Sequence, residues 1–546
     1  MSNPFPSTTR GPVLVVGLDG GTMDVIEPLA RRGVMPTFAK LIDSGRAGTL
    51  HSTVPWYTIP GWTSLMTGVS PGTHGLLHWV VSGDDEYFEG WRPGRRFVTS
   101  RDIAHPTFWD IAGAAGRRVV VVNMPLTYPA WPVNGAMITG LLTPHGLTEG
   151  GCHPPDLLDR FPSYRVDVSR ADAVDLPEER PSSGIEFGPY LRQLVEITRE
   201  RARVGAELLA EGADLGVVVF VGPDRISHKA WQEQASVAQE PPSTATQGAI
   251  EEYYRALDHA VAELLEAIGP GSTVAVVADH GFGPSPAYRL RVNAWLQQAG
   301  HLRLRAARAQ RAIASSRRIR RLVRGVVRRL KRRRIGIPGR ALVDWSRSRA
   351  YAVAYSSTST FGVVVNRVGR KREGIVSEQD APAIVARIRE DLSAMRDDRG
   401  RPVVLRIWTR EELGGTAPAF PDLIVEVDRR YLPDDGLLSS SVVEPYEDPS
   451  GVHEPEGAFI LSGPPVRDGE GPIEADIVDV APTVLGLLGI GAPTGMEGKA
   501  RAELLDLPEP APPPSGVTGP GGAAADMTTE EEREIEAHLR SLGYEE

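Results

Sequence analysis

Residues 272–283 read STVAVVADHGFG. A run of small and β-branched apolar residues bounded by glycine is the pattern of a fully buried strand. This one stops at two adjacent polar groups, Asp279 and His280, whose polarity core packing does not require. The pattern recurs along the chain. Residues 13–22, VLVVGLDGGT, carry Asp19 at the end of such a run; residues 215–228, LGVVVFVGPDRISH, carry Asp224 and His228; residues 451–464, GVHEPEGAFILSGP, place His453 just ahead of one. In an open α/β sheet, ligand groups gather at the carboxyl ends of the strands, so these distant donors are expected to meet. Strands are expected at Val13–Asp19, Arg118–Asn123, Leu215–Val221, Thr273–Ala278, Leu423–Val427 and Ala458–Ser462, with helices such as Met35–Ser44, Tyr190–Glu211 and Ala249–Ile268 between them. That alternation is the layout of a doubly wound α/β sheet with helices on both faces.

One further segment, YTIPGWTSLMTG at 57–68, offers a hydroxyl. Thr58 stands just ahead of Pro60 and Gly61, which open a short helix expected to end at Gly68. At such an N-terminus the free N–H groups and the helix dipole favour an arriving phosphate. The donor set is then Asp19, Thr58, Asp224, His228, Asp279, His280 and His453. Carboxylates and neutral imidazoles suit hard-to-borderline divalent metals, and seven side chains suffice for two ions. Held ~3.5–4 Å apart, such ions clamp the attacking and departing oxygens of an in-line displacement. A threonine hydroxyl is a poor nucleophile until a metal lowers its pKa. The chemistry implied is phosphoryl transfer through a phosphothreonine at Thr58.

These segments, in this order, resemble the alkaline phosphatase superfamily, and within it the type I phosphodiesterase/nucleotide pyrophosphatase group and its bacterial phosphohydrolase relatives. The resemblance runs from about Val13 to about Ala500. It implies an alkaline phosphatase-like core in which Asp19, Thr58, Asp279 and His280 hold one metal ion and Asp224, His228 and His453 hold the other. Zinc is usual in the family, with manganese as the alternative. Thr58 matches the nucleophile of the family's Thr-x-Pro-Asn stretch, which Thr67-Gly68, Pro71 and His74-Gly75 continue. Gly61 stands where nucleotide pyrophosphatases carry an asparagine that steadies the phosphate, a departure that speaks against nucleotide substrates. The substrate expected is a small-molecule or lipid phosphoester, a diester before a monoester.

Two other classes of function compete. Asp19-Gly20-Gly21-Thr22 after a strand also fits the first phosphate loop of an actin-like sugar kinase, but no persuasive second phosphate loop or adenosine motif follows. The other rival is a non-catalytic protein that keeps the fold and binds a membrane or a partner. Asn123 in VVNMPLTYP and Thr143 in GLLTPHG follow apolar runs and read first as strand-end turn residues, with a place beside the substrate as the second reading.

The 546 residues, 41% apolar and 24% charged, have the composition of a globular enzyme with room for a second module. The single Cys152, in GGCHPP, excludes a disulfide framework and a cysteine-rich zinc site. It also lacks the Cys-x-Pro-x-Arg context from which sulfatases make their nucleophile. The opening residues are polar, and Val13–Leu18 is too short for a signal core or a membrane span, so the expected location is the cytoplasm.

Between 284 and 420 the alternation is interrupted. An inserted cap is expected there, between core parts at 1–283 and 421–507, and superfamily relatives place substrate-selecting caps in such insertions. Residues 301–340 hold sixteen Lys or Arg and no Asp or Glu, although the whole chain carries −10. Within them Ile319, Leu322, Val323, Val326, Val327 and Leu330 recur at helical spacing, with arginines on the other face. This basic amphipathic helix, Ile319–Leu330, reads first as a cap element. Its second reading is contact with an anionic membrane surface, where each nearby cation contributes ~1 kcal/mol and the enzyme would be peripheral. Nucleic acid is the weakest reading, since no aromatics interleave with the arginines. Residues 508–526 form a Pro/Gly/Ala-rich linker. Residues 527–546 form an acidic helix that Thr528 or Thr529 can cap, with Ile535, Leu539 and Leu542 on one stripe. Nothing in the sequence sets an oligomeric state.

Overall fold

The structure is a computed structural model that describes residues 11–80, 96–144, 150–168, 187–305, 342–370, 373–418, 420–439, 441–447, 451–469, 471–521 and 527–542. The chain divides into two compact units. One is built from the stretches up to Trp79, Arg96–Pro284 and Pro449 onward; the other is formed chiefly by Ser285–Asp448.

The first unit is organised on a nine-stranded sheet. Its strands are β1 (Val13–Leu18), β2 (Gly45–His51), β3 (Val119–Met124), β4 (Gly135–Thr139), β5 (Cys152–His153), β6 (Leu215–Phe220), β7 (Thr273–Val277), β8 (Glu456–Ser462) and β9 (Ile473–Asp476). They lie in the order β9-β2-β8-β7-β1-β6-β3-β4-β5. The five central strands, β7 to β4 in that order, run parallel, and β8 and β5 run against their neighbours. Strands β1, β3, β6 and β7 are buried at every position. Parallel strands covered on both faces carry continuous apolar runs rather than alternating ones, which is why VLVVGL, LGVVVF and TVAVV were legible.

Four helices matter for the site and its support: α1 (Thr58–Thr67), α2 (Phe187–Ala210), α3 (Gly222–Gln239) and α4 (Ala245–Ile268). The long pair α2 and α4 pack on each other, and each also touches the sheet. The doubly wound α/β architecture is therefore present, as a mixed rather than purely parallel sheet.

The second unit has its own apolar core and a four-stranded antiparallel sheet ordered Ala350–Ala354, Thr360–Val365, Leu423–Val427, Val404–Thr409. The run Leu423–Val427, expected to continue the layered core, lies in this sheet instead, and the unit reaches Asp448 rather than ending near 420. A short apolar run specifies a buried strand but not which sheet receives it. The basic helix expected over Ile319–Leu330 lies outside the described residues. Among the described residues, no helix is long and apolar enough to cross a membrane.

The C-terminal helix α5 (Thr529–Leu542) opens with a reciprocal cap: the Thr528 N–H donates to the Glu531 carboxylate at 2.6 Å, and the Glu531 N–H donates to Thr528 Oγ1 at 3.3 Å. Ile535 and Leu539 are buried, and the Tyr128 hydroxyl donates to Glu531 at 2.5 Å, so the helix docks on its own chain. The segment read as a linker is held at two points, by pairing of Ile490 with Ala511 and by the Gly521 N–H on the Ile103 carbonyl at 3.3 Å.

Candidate functional site

Strand register brings the sequence-predicted donors to one edge of the first unit's sheet. Leu18 pairs with Phe220 and Gly17 with Val277, so Asp19, Asp224 and Asp279 all emerge just past the carboxyl ends of β1, β6 and β7. Gly20 follows Asp19 in the left-handed region at φ +65, and its N–H donates to Asp279 Oδ1 at 3.1 Å. A Cβ at Gly20 would stand 2.6 Å from the Phe282 ring, so a side chain is excluded twice over. Because that N–H is committed to a carboxylate, the Gly20 loop does not offer it to a phosphate as the sugar-kinase reading required.

Asp224 and His228 lie one turn apart on the first turns of α3. Residues Gly281–Gly283 pair antiparallel with Val452–Glu454, placing His453 opposite Phe282. The His453 ring stacks on that of His280, with centroids 3.8 Å apart and planes 17° apart. Helix α1 starts at Thr58 after an extended Tyr57 and ends at a left-handed Gly68. A Cβ at Gly61 would lie 3.0 Å from the Asp279 carbonyl oxygen, so a bare α-carbon lets the first turn of α1 approach that strand end closely.

The structure brings all seven donors together. His228 Nε2 is 3.2 Å and His453 Nε2 3.5 Å from Asp224 Oδ1, and the two nitrogens are 3.0 Å apart. His280 Nε2 is 3.3 Å from Asp279 Oδ2, 3.5 Å from Thr58 Oγ1 and 3.7 Å from Asp19 Oδ1. Bonds of ~2.0–2.1 Å in a tetrahedral zinc site put neighbouring donors about 3.3–3.4 Å apart, close to these separations. One donor atom each from Asp224, His228 and His453 lies within 4.8 Å of the others, and the same holds for Asp19, Asp224 and His280. The two groups therefore adjoin at Asp224.

The electrostatics favour a cation. Asp19, Asp224, Asp279, His280 and His453 are fully buried, and neither carboxylate oxygen of Asp19 accepts a hydrogen bond. Burial, reinforced by Asp279 and Asp224, pushes the Asp19 carboxyl well above the usual range. Burial likewise raises Asp279, against the Gly20 N–H and with the Asp224 charge adding to the rise. Asp224 goes the other way: burial opposes its charge, but His228, His453 and Arg225 outweigh that and hold it well below the ordinary value. Burial and the neighbouring His453 keep the His280 imidazole neutral far below its usual pKa, and its Nδ1 faces the Gly281 carbonyl at 3.0 Å, leaving Nε2 for the cluster. Crowded buried carboxylates beside neutral imidazoles are the composition that a divalent ion satisfies and protons satisfy poorly.

Burial, aided by His228 and against the Asp224 hydrogen bond, lowers His453 from 6.5 to about 4. Above pH 6.5 the ring is neutral folded and unfolded alike and contributes no pH dependence. As the pH falls from 6.5 towards about 4, the unfolded chain binds the proton first and stability is lost. At ~1.4 kcal/mol per pKa unit this amounts to about 3 kcal/mol for the metal-stripped protein. Urea unfolding of metal-stripped wild type and His453→Asn at pH 7.5 and pH 4.5 measures it. The wild type is expected to lose that much more than the variant, and equal losses would contradict the assignment.

Two residues that sequence reading did not select complete the cluster. The Arg225 guanidinium, fully buried, donates to Asp224 Oδ2 and twice to Asp167 Oδ2, at 3.0 and 2.7 Å. Only adjacency to Asp224 marked Arg225, and nothing marked Asp167. Asn123, at φ +62, sits at an irregularity inside β3 with its amide donating to the Val219 carbonyl at 3.2 Å, whereas Thr143 lies in the turn after β4, its hydroxyl bonding Thr139 Oγ1 at 2.8 Å.

The family model for type I phosphodiesterase/nucleotide pyrophosphatase matches residues 13–440. No curated protein matches the sequence. Among solved structures, phosphonoacetate hydrolase from Sinorhizobium meliloti 1021 in complex with phosphonoacetate is 16% identical, with a TM-score of 0.51 over 88% of this chain and 96% of that one. Murine ectonucleotide pyrophosphatase/phosphodiesterase 5 is 13% identical, with a TM-score of 0.47 over 91% of this chain and 100% of that one. At these identities the likeness speaks to the fold alone, and only the first is close enough to carry that.

Proposed function

Since the chain belongs to the type I phosphodiesterase/nucleotide pyrophosphatase family, a branch of the alkaline phosphatase superfamily whose members hydrolyse phosphoric esters, we propose that it is a two-metal phosphodiesterase acting through a phosphothreonine on Thr58. In this reading Asp19, Thr58, Asp279 and His280 hold one divalent ion and Asp224, His228 and His453 the other, zinc as is usual in the family, with manganese as the alternative. When bound, the ions lower the pKa of the hydroxyl and offset charge on the phosphoryl oxygens.

The observation that carries this reading is the placement of Thr58. Its Oγ1 is 3.5 Å from His280 Nε2 at the first residue of α1, where unpaired N–H groups favour a phosphate. From there Thr58 Oγ1 attacks phosphorus, its proton passing to solvent, and the bond from phosphorus to the alcohol oxygen breaks on the opposite side. The departing alkoxide takes up a proton from solvent and leaves as the alcohol, and water then hydrolyses the phosphothreonine, returning the Thr58 hydroxyl and releasing a phosphomonoester. Gly61 leaves the nucleotide-pyrophosphatase asparagine without a counterpart here, so the substrate is read as a small-molecule or lipid diester rather than a nucleotide.

Elemental analysis of the purified chain, followed by hydrolysis of bis-p-nitrophenyl phosphate against p-nitrophenyl phosphate, tests the proposal. Two ions per chain and faster diester turnover are expected. A metal-free active protein would refute the mechanism, and monoester preference would refute the substrate class.

A further inference from the structure

Arg225 is buried to 1% exposure of its side chain, and its partner Asp167 to 2%. The fork of the guanidinium is divided between two carboxylates. Nε and Nη2 converge on Asp167 Oδ2, at 3.0 and 2.7 Å, while Nη1 reaches Asp224 Oδ2. Asp167 is fixed in turn, its Oδ1 accepting the Val168 N–H at 2.8 Å. The two oxygens of Asp224 therefore face different ways: Oδ2 is taken by Arg225, and Oδ1 is left toward His228 Nε2 at 3.2 Å and His453 Nε2 at 3.5 Å.

Resting on the two-ion reading above, we propose that Arg225, anchored by Asp167, is a positioning residue that sets the Asp224 carboxylate to offer a single oxygen to the ion shared with His228 and His453. The terminal torsion of an aspartate is broad, and an unrestrained carboxylate can swing to present both oxygens. A planar guanidinium with fixed donor directions removes that freedom, which a lysine, as a point charge on a flexible stem, does not do. Buried ion pairs contribute little net stability but fix geometry, and outer partners of metal ligands act on affinity through the ligand they hold.

The test uses the full chain, stripped of metal and titrated with Zn²⁺ against a chromophoric chelator, and separately with Co²⁺, whose visible absorption reports coordination geometry. Variants are Arg225→Lys and Asp167→Asn, the latter leaving every residue next to the ion in place. Wild type is expected to bind two ions. Each variant, folded by circular dichroism, is expected to keep one tightly and to bind the second about 10- to 100-fold more weakly, with a changed Co²⁺ spectrum for that ion. Folded variants with wild-type affinity and spectrum would overturn the proposal. So would loss of folding in both, which would assign the pair to core stability. A wild type that takes up no ion would instead refute the reading of the site on which this inference stands.

Discussion

Alanine at position 58 is expected to lower kcat by about 10⁴-fold or more on a diester substrate, with both ions retained. Removal of an enzyme's covalent nucleophile leaves only binding and electrostatic stabilisation, and losses of that order or larger follow. Thr58 is one of several donors around His280 Nε2, with Asp279 Oδ2 at 3.3 Å and Asp19 Oδ1 at 3.7 Å. Its loss therefore removes a weak hydroxyl donor and leaves the carboxylate and imidazole donors of that group in place. The stability effect is confined to a small buried cavity, about 1 kcal/mol for deletion of a few atoms, so the melting temperature should fall by only a few degrees. Thr58→Ser keeps the hydroxyl and should restore much of the rate. Steady-state kinetics and elemental analysis of the two variants decide the matter. An alanine variant turning over at more than about a tenth of the wild-type rate would remove Thr58 from the mechanism.

His453→Ala is expected to take the bound metal from two ions to one and to lower kcat by about 10³-fold, equivalent to about 4 kcal/mol of transition-state stabilisation. His453 Nε2 is 3.0 Å from His228 Nε2 and 3.5 Å from Asp224 Oδ1, and the ring is fully buried. The imidazole cannot be replaced by bulk water without opening the core. What remains, Asp224 with His228, offers one carboxylate and one imidazole, too few for tight tetrahedral binding. The loss of stacking on His280 should also loosen the other group, so its ion is expected to bind more weakly without being lost. Elemental analysis after gel filtration reads the stoichiometry. Retention of two tightly bound ions would show that His453 is not a ligand.

What could be read along the chain was local. Asp19 and Asp279 are legible because each closes a buried strand with polarity that packing does not explain. Asp224 and His228 are legible because a spacing of four aligns them on α3. Thr58 is marked by the proline and glycine that open α1. The terminal helix, too, was legible, with Thr528 or Thr529 as its cap, since capping is decided within four residues, and the structure places the cap at Thr528.

Other features depended on partners far away in sequence. Leu423–Val427 has the composition of any buried strand, and only pairing with Thr360–Val365 and Val404–Thr409 placed it in the second unit. A lone histidine such as His453 gains meaning from antiparallel pairing with Gly281–Gly283. Arg225 and Asp167 were missed because a charged residue in sequence reads as solvated until burial shows otherwise.

The sequence by itself determined the apolar strands β1, β3, β6, β7 and β8 and the kinds of donor atoms placed beside them, but not strands such as β2, β4 and β9, which carry no such run. Tertiary structure alone decided the order β7-β1-β6 that brings three carboxylates to one edge, the stacking of His453 on His280, and the division of Asp224 between Arg225 and the histidines. The physical reason is that periodicity and capping are settled over a few residues by backbone geometry. Strand order and ion pairing are settled by burial across hundreds of residues, through contacts that leave no pattern in the local chain.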